Sequence, residues 1–360
     1  MDTFETFPEQ AEAKRLLRAA LAEGPAHAYL LHGPPGVGKR AAALAFAAEL
    51  LGSPERVERR SHPDLYVLEP LGDQIRIDSV RELRRDLHMR PFEAERRVYL
   101  VLGADLMNED AADALLKDLE EPPSYAVILL VANDLGPLPE TIRSRCQLVP
   151  FRRLSERAVR EEIERRAPGL GEDERTALAR LAAGRLDRAA RLLDPAAAGR
   201  RNVLLDVARS VYLDLAFEPA DAAGRLMEGI RARGAAAREE AQAGIEGLDL
   251  TAREAEQRVR RAQRGAEREE LLATLEELAA WYRDLLAVGS GAETAAVHSD
   301  RLDELREDAT RERLLGAEQA CEAVRATWRN AEELNVTPGL ALEALLVELR
   351  RGLAGAVVTA

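Results

Sequence analysis

The sequence predicts an α/β domain built on a parallel sheet, followed by a small all-α domain and a larger all-α C-terminal domain. Three observations carry this prediction. Over roughly the first 150 residues, short and continuously apolar runs alternate with helical patterns, which is how strands covered on both faces read. A glycine-rich loop, Gly33-Pro34-Pro35-Gly36-Val37-Gly38-Lys39-Arg40, follows the first of these runs and opens a helix. Beyond about Ser155 no strand pattern remains, and helical periodicity takes over.

Taken in order, Tyr29-Leu30-Leu31-His32 is the first strand, and Ala41 to Leu51, rich in alanine and leucine, is the helix after the loop. Leu65 to Leu68, Val98 to Leu102, Ala126 to Ala132 and Leu148 to Phe151 are four further strands. Between the third and fourth, Asn108 is placed to cap a helix whose first turn carries Glu109 and Asp110. Ala112, Leu115, Leu116 and Leu119 fall on one face of it, and Pro122-Pro123 stops it. Short helices then run from Leu154-Ser155-Glu156, broken at Pro168-Gly169 and Gly184 and ending near Pro195. Long helices follow, the clearest carrying Leu271, Leu275, Leu278, Tyr282 and Leu285 on one stripe. The expected domains are 1–152, 153–200 and 201–360, with a tail at 355–360 that frays.

Composition narrows the function classes. The 360 residues carry a formal net charge of −13, which argues against a protein that holds nucleic-acid phosphates over its own broad surface. Two cysteines, Cys146 and Cys321, exclude a disulfide framework and a four-cysteine zinc module. The N-terminus lacks a basic stretch followed by an apolar core, and the longest useful apolar run, Ala126 to Ala132, is too short to span a bilayer. A cytoplasmic protein with no membrane contact is expected. Lysine occurs only at Lys14, Lys39 and Lys117, so one of three stands at the position where a compact charge suits β- and γ-phosphates.

The loop matches G-x-x-x-x-G-K-[ST] except at its last position, where Arg40 replaces the hydroxyl that holds Mg²⁺. Its backbone N–H groups and the following helix N-terminus would form an anion nest. The third strand should end on an acidic metal ligand and runs into Leu102-Gly103 instead. Asp105 lies beyond, offset from that position, and reads as a surface aspartate. Arg40 is directed either towards the vacant metal site or to solvent. The nucleotide site, Gly33 to Arg40, therefore reads as degenerate, with no metal.

At this point a resemblance can be named. His62-Pro63-Asp64-Leu65, Ile75-Arg76-Ile77-Asp78 with Arg81-Glu82-Leu83, Met107-Asn108-Glu109, Ala114-Leu115-Leu116-Lys117, Leu119-Glu120-Glu121-Pro122-Pro123 and Ile142-Arg143-Ser144-Arg145-Cys146-Gln147 occur in that order. Together they resemble the bacterial clamp-loader subunits of the DNA polymerase III holoenzyme, over nearly all of the first 150 residues. The lost metal ligands are similar to the delta-prime type rather than to the hydrolysing gamma or tau type. The resemblance implies a P-loop (AAA+) domain, a helical lid and a C-terminal helical collar. It also implies that Arg145 acts in trans as an arginine finger on a neighbour's ATP. Its implied partners are the gamma/tau and delta-type subunits, with the sliding clamp and primer-template DNA met through the assembled complex. The cysteine zinc module of many relatives has no counterpart here, so no zinc is expected. At most, weak ATP or ADP binding without Mg²⁺ is implied. A polar residue that orients water in active relatives maps to Asn133, and the lid arginine that senses nucleotide to either Arg185 or Arg188.

Two alternatives stay open: an active clamp-loader motor ATPase, and a free-standing interaction scaffold with a relict fold, in which Ser144-Arg145 is only a surface turn. Two other features invite over-reading. Arg258, Arg260, Arg261, Arg264 and Arg268 are interleaved with glutamates, which favours a solvated helix face over a DNA stripe. Trp281 and Tyr282 fit a core or a subunit interface better than a base-stacking platform.

Overall fold

The computed structural model describes residues 3–70, 74–245, 252–333 and 336–354. The tail at 355–360, and with it the expected fraying, lies outside the described residues. Contacts divide the chain into two compact units: one takes 1–162 together with 183–188, the other 163–182 together with 189–360. The segment 153–200 is thus shared between them.

In the first unit, helix α1 (Ala11–Glu23) precedes strand β1 (Ala28–His32). Helices α2 (Lys39–Leu51) and α3 (Pro54–Glu58) lead to β2 (Leu65–Leu68), and α4 (Ile77–Leu87) to β3 (Arg97–Leu102). Helix α5 (Glu109–Glu120), β4 (Ala126–Ala132), the one-turn α6 (Glu140–Arg143) and β5 (Gln147–Pro150) complete it. The five strands pair in the order β2-β3-β4-β1-β5, every neighbour parallel. Alternate residues of the same strands serve opposite faces. Tyr29 and Leu31, with Val127 and Leu129, pack beneath α1 and α2, whereas Leu30, Ile128 and Leu130 pack against α4 and α5. That double coverage is why the strands are apolar throughout instead of alternating.

Asn108 caps α5 as expected, its side chain accepting from the Ala111 N–H at 3.1 Å, and α5 ends at Glu120 before Pro122. The His-Pro-Asp stretch proves to be a loop clamp. Asp64 accepts the backbone N–H groups of Phe92, Glu93 and Ala94. Burial raises the Asp64 pKa, but these three donors outweigh it and hold the carboxyl below its usual range.

Helix α7 (Glu156–Arg166) starts in the first unit and ends in the second. The second unit then holds α8 (Glu172–Ala182), most of α9 (Leu186–Leu192), and α10 (Pro195–Leu213). It continues through the long α11 (Pro219–Ile245) and α12 (Ala252–Gly289), then α13 (Leu302–Asp308), α14 (Arg311–Glu333) and α15 (Pro338–Ala354). The stripe Leu271, Leu275, Leu278, Tyr282 and Leu285 lies in its core. Trp281 and Tyr282 are fully buried, bonding to the Tyr212 hydroxyl and the Ala208 carbonyl, so neither presents a stacking face. Arg258, Arg260, Arg261, Arg264 and Arg268 are exposed, and Arg260 pairs with Glu256 one turn back, as a solvated face does. Among the described residues no helix is long and apolar enough to cross a membrane.

Candidate nucleotide site and arginine corner

Parallel register assembles the loop. His32 at the end of β1 lies opposite Ala132 at the end of β4, so the next residues, Gly33 and Asn133, leave the sheet side by side. Leu102 of β3 lies opposite Val131, which brings the turn through Asp105 to the same edge. This carboxyl edge is where open parallel sheets place ligands. Gly33 has φ +135°, and a Cβ there would sit 2.2 Å from the Phe151 carbonyl oxygen. Only glycine permits that turn.

Lys39 opens α2 and is buried, only 4% exposed. Its ammonium donates to the carbonyl oxygens of Gly33 and Pro34 and, at 3.0 Å, to Asn133 Oδ1. Three acceptors match the three donors of a lysine. The side chain is therefore folded back onto its own loop. Burial pulls its pKa down to about 8, against the attraction of Asp105 and Asp187 and with the repulsion of Arg185.

Of its two expected courses, Arg40 takes the solvent-facing one. It is half-exposed and pairs with Glu69 beyond β2 at 3.2 Å, beside Arg60 on the same carboxylate at 2.9 Å. Asp105 is also more than a surface residue: its Oδ1 is buried without a hydrogen-bond partner, and its charge acts on Lys39. The offset from the strand end hid it in the sequence. These residues do not fit Mg²⁺, which demands several oxygens in near-octahedral array. Position 40 supplies a cation already paired, the strand end supplies Leu102-Gly103, and the nearby carboxylates are the offset Asp105 and Asp187, the latter held by Arg185.

Both lid arginines lie beside Asp187. Arg185 donates from Nε and Nη2 to Asp187 at 3.2 and 2.9 Å, so its guanidinium is engaged by the chain's own carboxylate. The backbone N–H of Arg188 also donates to Asp187, at 2.8 Å. The group set against the loop is Asp187, which sequence reasoning passed over because only the fold brings it to Gly36.

Arg145 stands in the turn between α6 and β5. Ile142, fully buried, pins α6 to the sheet, and the Ser144 and Arg145 N–H groups close the turn onto Glu140 and Ile142 carbonyls. Its guanidinium donates to the Thr141 carbonyl at 2.8 Å and to the Glu120 carboxylate. The Leu-Glu-Glu-Pro-Pro and Ser-Arg-Cys motifs thus meet through one ion pair. The next residue, Cys146, has its thiol pushed up to about 12 by burial and behaves as a small apolar group.

Comparison with known proteins agrees with this geometry. The family model described as "DNA polymerase III, delta subunit" matches residues 9–155. The DNA polymerase III subunit delta′ of Bacillus subtilis is 34% identical over 149 residues, 38% of this chain and 45% of that protein. The delta′ subunit of Pseudomonas aeruginosa is 41% identical over 136 residues, 34% of this chain and 42% of that one. The match therefore spans less than half the length of either relative. Among solved structures, a DNA polymerase III gamma subunit-related protein from Thermotoga maritima covers 94% of this chain and 99% of its own, at 16% identity and a TM-score of 0.48. Over residues 9–155 the chain is thus similar to the DNA polymerase III delta-subunit family, with delta′ subunits of two bacteria among its relatives.

Proposed function

We propose that this chain is a non-hydrolysing, delta-prime-type subunit of a cytoplasmic clamp loader, helping to place a sliding clamp on primed DNA. Its partners in this reading are gamma/tau-type and delta-type subunits, with clamp and primer-template met through the assembly. One observation carries it. The chain holds its phosphate-loop lysine inside, on its own carbonyls, while it holds Arg145 at the surface on one carboxylate. Arg145 then serves a neighbour's ATP, where a guanidinium stabilises the charge spreading over the transferring phosphoryl group. Such fingers contribute about 10³–10⁵ in rate. Any nucleotide bound by the chain itself is held weakly and without Mg²⁺.

Purified chain should release no phosphate from ATP beyond the background of Lys39→Ala. A complex reconstituted with Arg145→Ala should assemble fully and turn ATP over more slowly, the loss confined to the one site it faces. Undiminished turnover in an intact complex would refute the finger. It would favour the scaffold reading, which the Arg145–Glu120 pair itself suggests, in which that pair is a surface contact and nothing more.

A further inference from the structure

We infer that the Asp187 carboxylate fills the phosphate seat of this loop, so that a di- or triphosphate enters only by displacing the chain's own anion. The inference rests on reading Gly33 to Arg40 as a phosphate-binding loop, and not on the assembly reading.

Within the first unit, the segment 183–188 is fastened around the loop. The Leu186 N–H donates to the Gly36 carbonyl at 2.6 Å, the Leu154 N–H to the Gly184 carbonyl at 3.2 Å, and Arg153 to the Ala183 carbonyl at 2.9 Å. Ala183 adopts φ +50° and Gly184 φ +78°, and a Cβ on Gly184 would meet the Leu154 carbonyl oxygen at 2.7 Å. A non-glycine residue held at positive φ costs free energy that its surroundings must offset. These contacts deliver Asp187 to Gly36, itself at φ +70°. A Cβ built on Gly36 would lie 1.7 Å from Asp187 Oδ1, so the carboxylate occupies the space that the missing side chain leaves open. Asp187 also attracts the Lys39 ammonium, and Arg185 fastens both oxygens of the same carboxylate. A loop glycine with an anion against it and a lysine that feels the anion's charge are the parts of a phosphate site, with the anion supplied internally.

An aspartate in the first turn of α9 also complements that helix, and a purely local role would leave the loop's affinity untouched when the charge is removed. Titration of the full chain with inorganic tripolyphosphate in EDTA separates the two. Asp187→Asn keeps the size and one acceptor oxygen while removing the charge, and should bind about tenfold tighter than wild type, equivalent to roughly 1.4 kcal/mol. Asp187→Glu should show no gain. Asp187→Asn combined with Lys39→Ala should lose the gain. Should Asp187→Asn fail to fold by thermal unfolding, Asp187→Ser carries the same comparison. Equal affinity of wild type and the charge-removed variant overturns the inference. A gain that survives Lys39→Ala would instead place the ligand elsewhere and sink the loop reading itself.

Discussion

The loop between β1 and α2 and the corner between α6 and β5 each hold a cation that the sequence assigns to phosphate chemistry, and they hold it in opposite ways. Lys39 is buried and spends its donors on Gly33, Pro34 and Asn133, with Asp105 and Asp187 supplying negative charge nearby. Arg145 is 31% exposed and answers to one backbone carbonyl and one half-exposed carboxylate, Glu120. A buried cation with internal acceptors can leave them only if an incoming anion replaces every one. An exposed ion pair is worth about 0–1 kcal/mol, so Glu120 can be exchanged for a stronger anion at little cost. Position in the fold decides which cation stays available.

The comparison breaks first at the corner's anchor. Ile142→Ala should cost about 2–5 kcal/mol in urea unfolding, since it empties a fully buried site under α6. A loss below about 1 kcal/mol would mean that the corner is not held by the sheet and that Arg145 has no fixed position to offer.

At the loop, pH sharpens the contrast. Lys39 titrates at about 8 in the folded chain against an ordinary value of 10.5, burial being the main cause. Between those values the unfolded chain binds more protons at this residue, so stability gains with rising pH. Below about 8 both states are charged, and the burial penalty is constant. Wild type should therefore gain on Lys39→Met between about pH 8 and pH 10.5. A flat difference across that window would mean that the lysine is solvated, and the contrast between the two cations would fail.

The smallest effect is expected at Glu120→Gln. Stability should change by no more than about 1 kcal/mol, and ATP turnover of a reconstituted complex should hold or rise, because in the proposed reading the residue only keeps Arg145 in place until a phosphate does. A fall as deep as that of Arg145→Ala would make Glu120 part of the machinery.

Much of this was legible beforehand for a physical reason. Strands covered on both faces announce themselves as apolar runs, and Asn108 and the Leu271 stripe obey local rules of capping and periodicity. The loop lysine stood out because its residue type is demanded by phosphate chemistry, whereas the Ser-Arg-Cys turn was singled out by resemblance alone. What stayed hidden depends on juxtaposition. Arg40 meets Glu69, Arg145 meets Glu120 and Gly36 meets Asp187 across stretches that no local rule spans. Asp105 was misread because a residue past a strand end looks solvated until the neighbouring turn covers one of its oxygens. The grouping of α8 with the second unit was likewise invisible, resting on contacts such as Arg180 to the Ala296 carbonyl at 2.8 Å.

In the function proposed above, this chain acts on phosphate through its arginine corner and not through its loop. The direct test places Lys39→Ala and Arg145→Ala separately into otherwise identical reconstituted complexes and compares clamp-stimulated ATP turnover at equal assembly. The account predicts unchanged turnover with Lys39→Ala and reduced turnover with Arg145→Ala. The reverse pattern, turnover lost with Lys39→Ala and kept with Arg145→Ala, would contradict it.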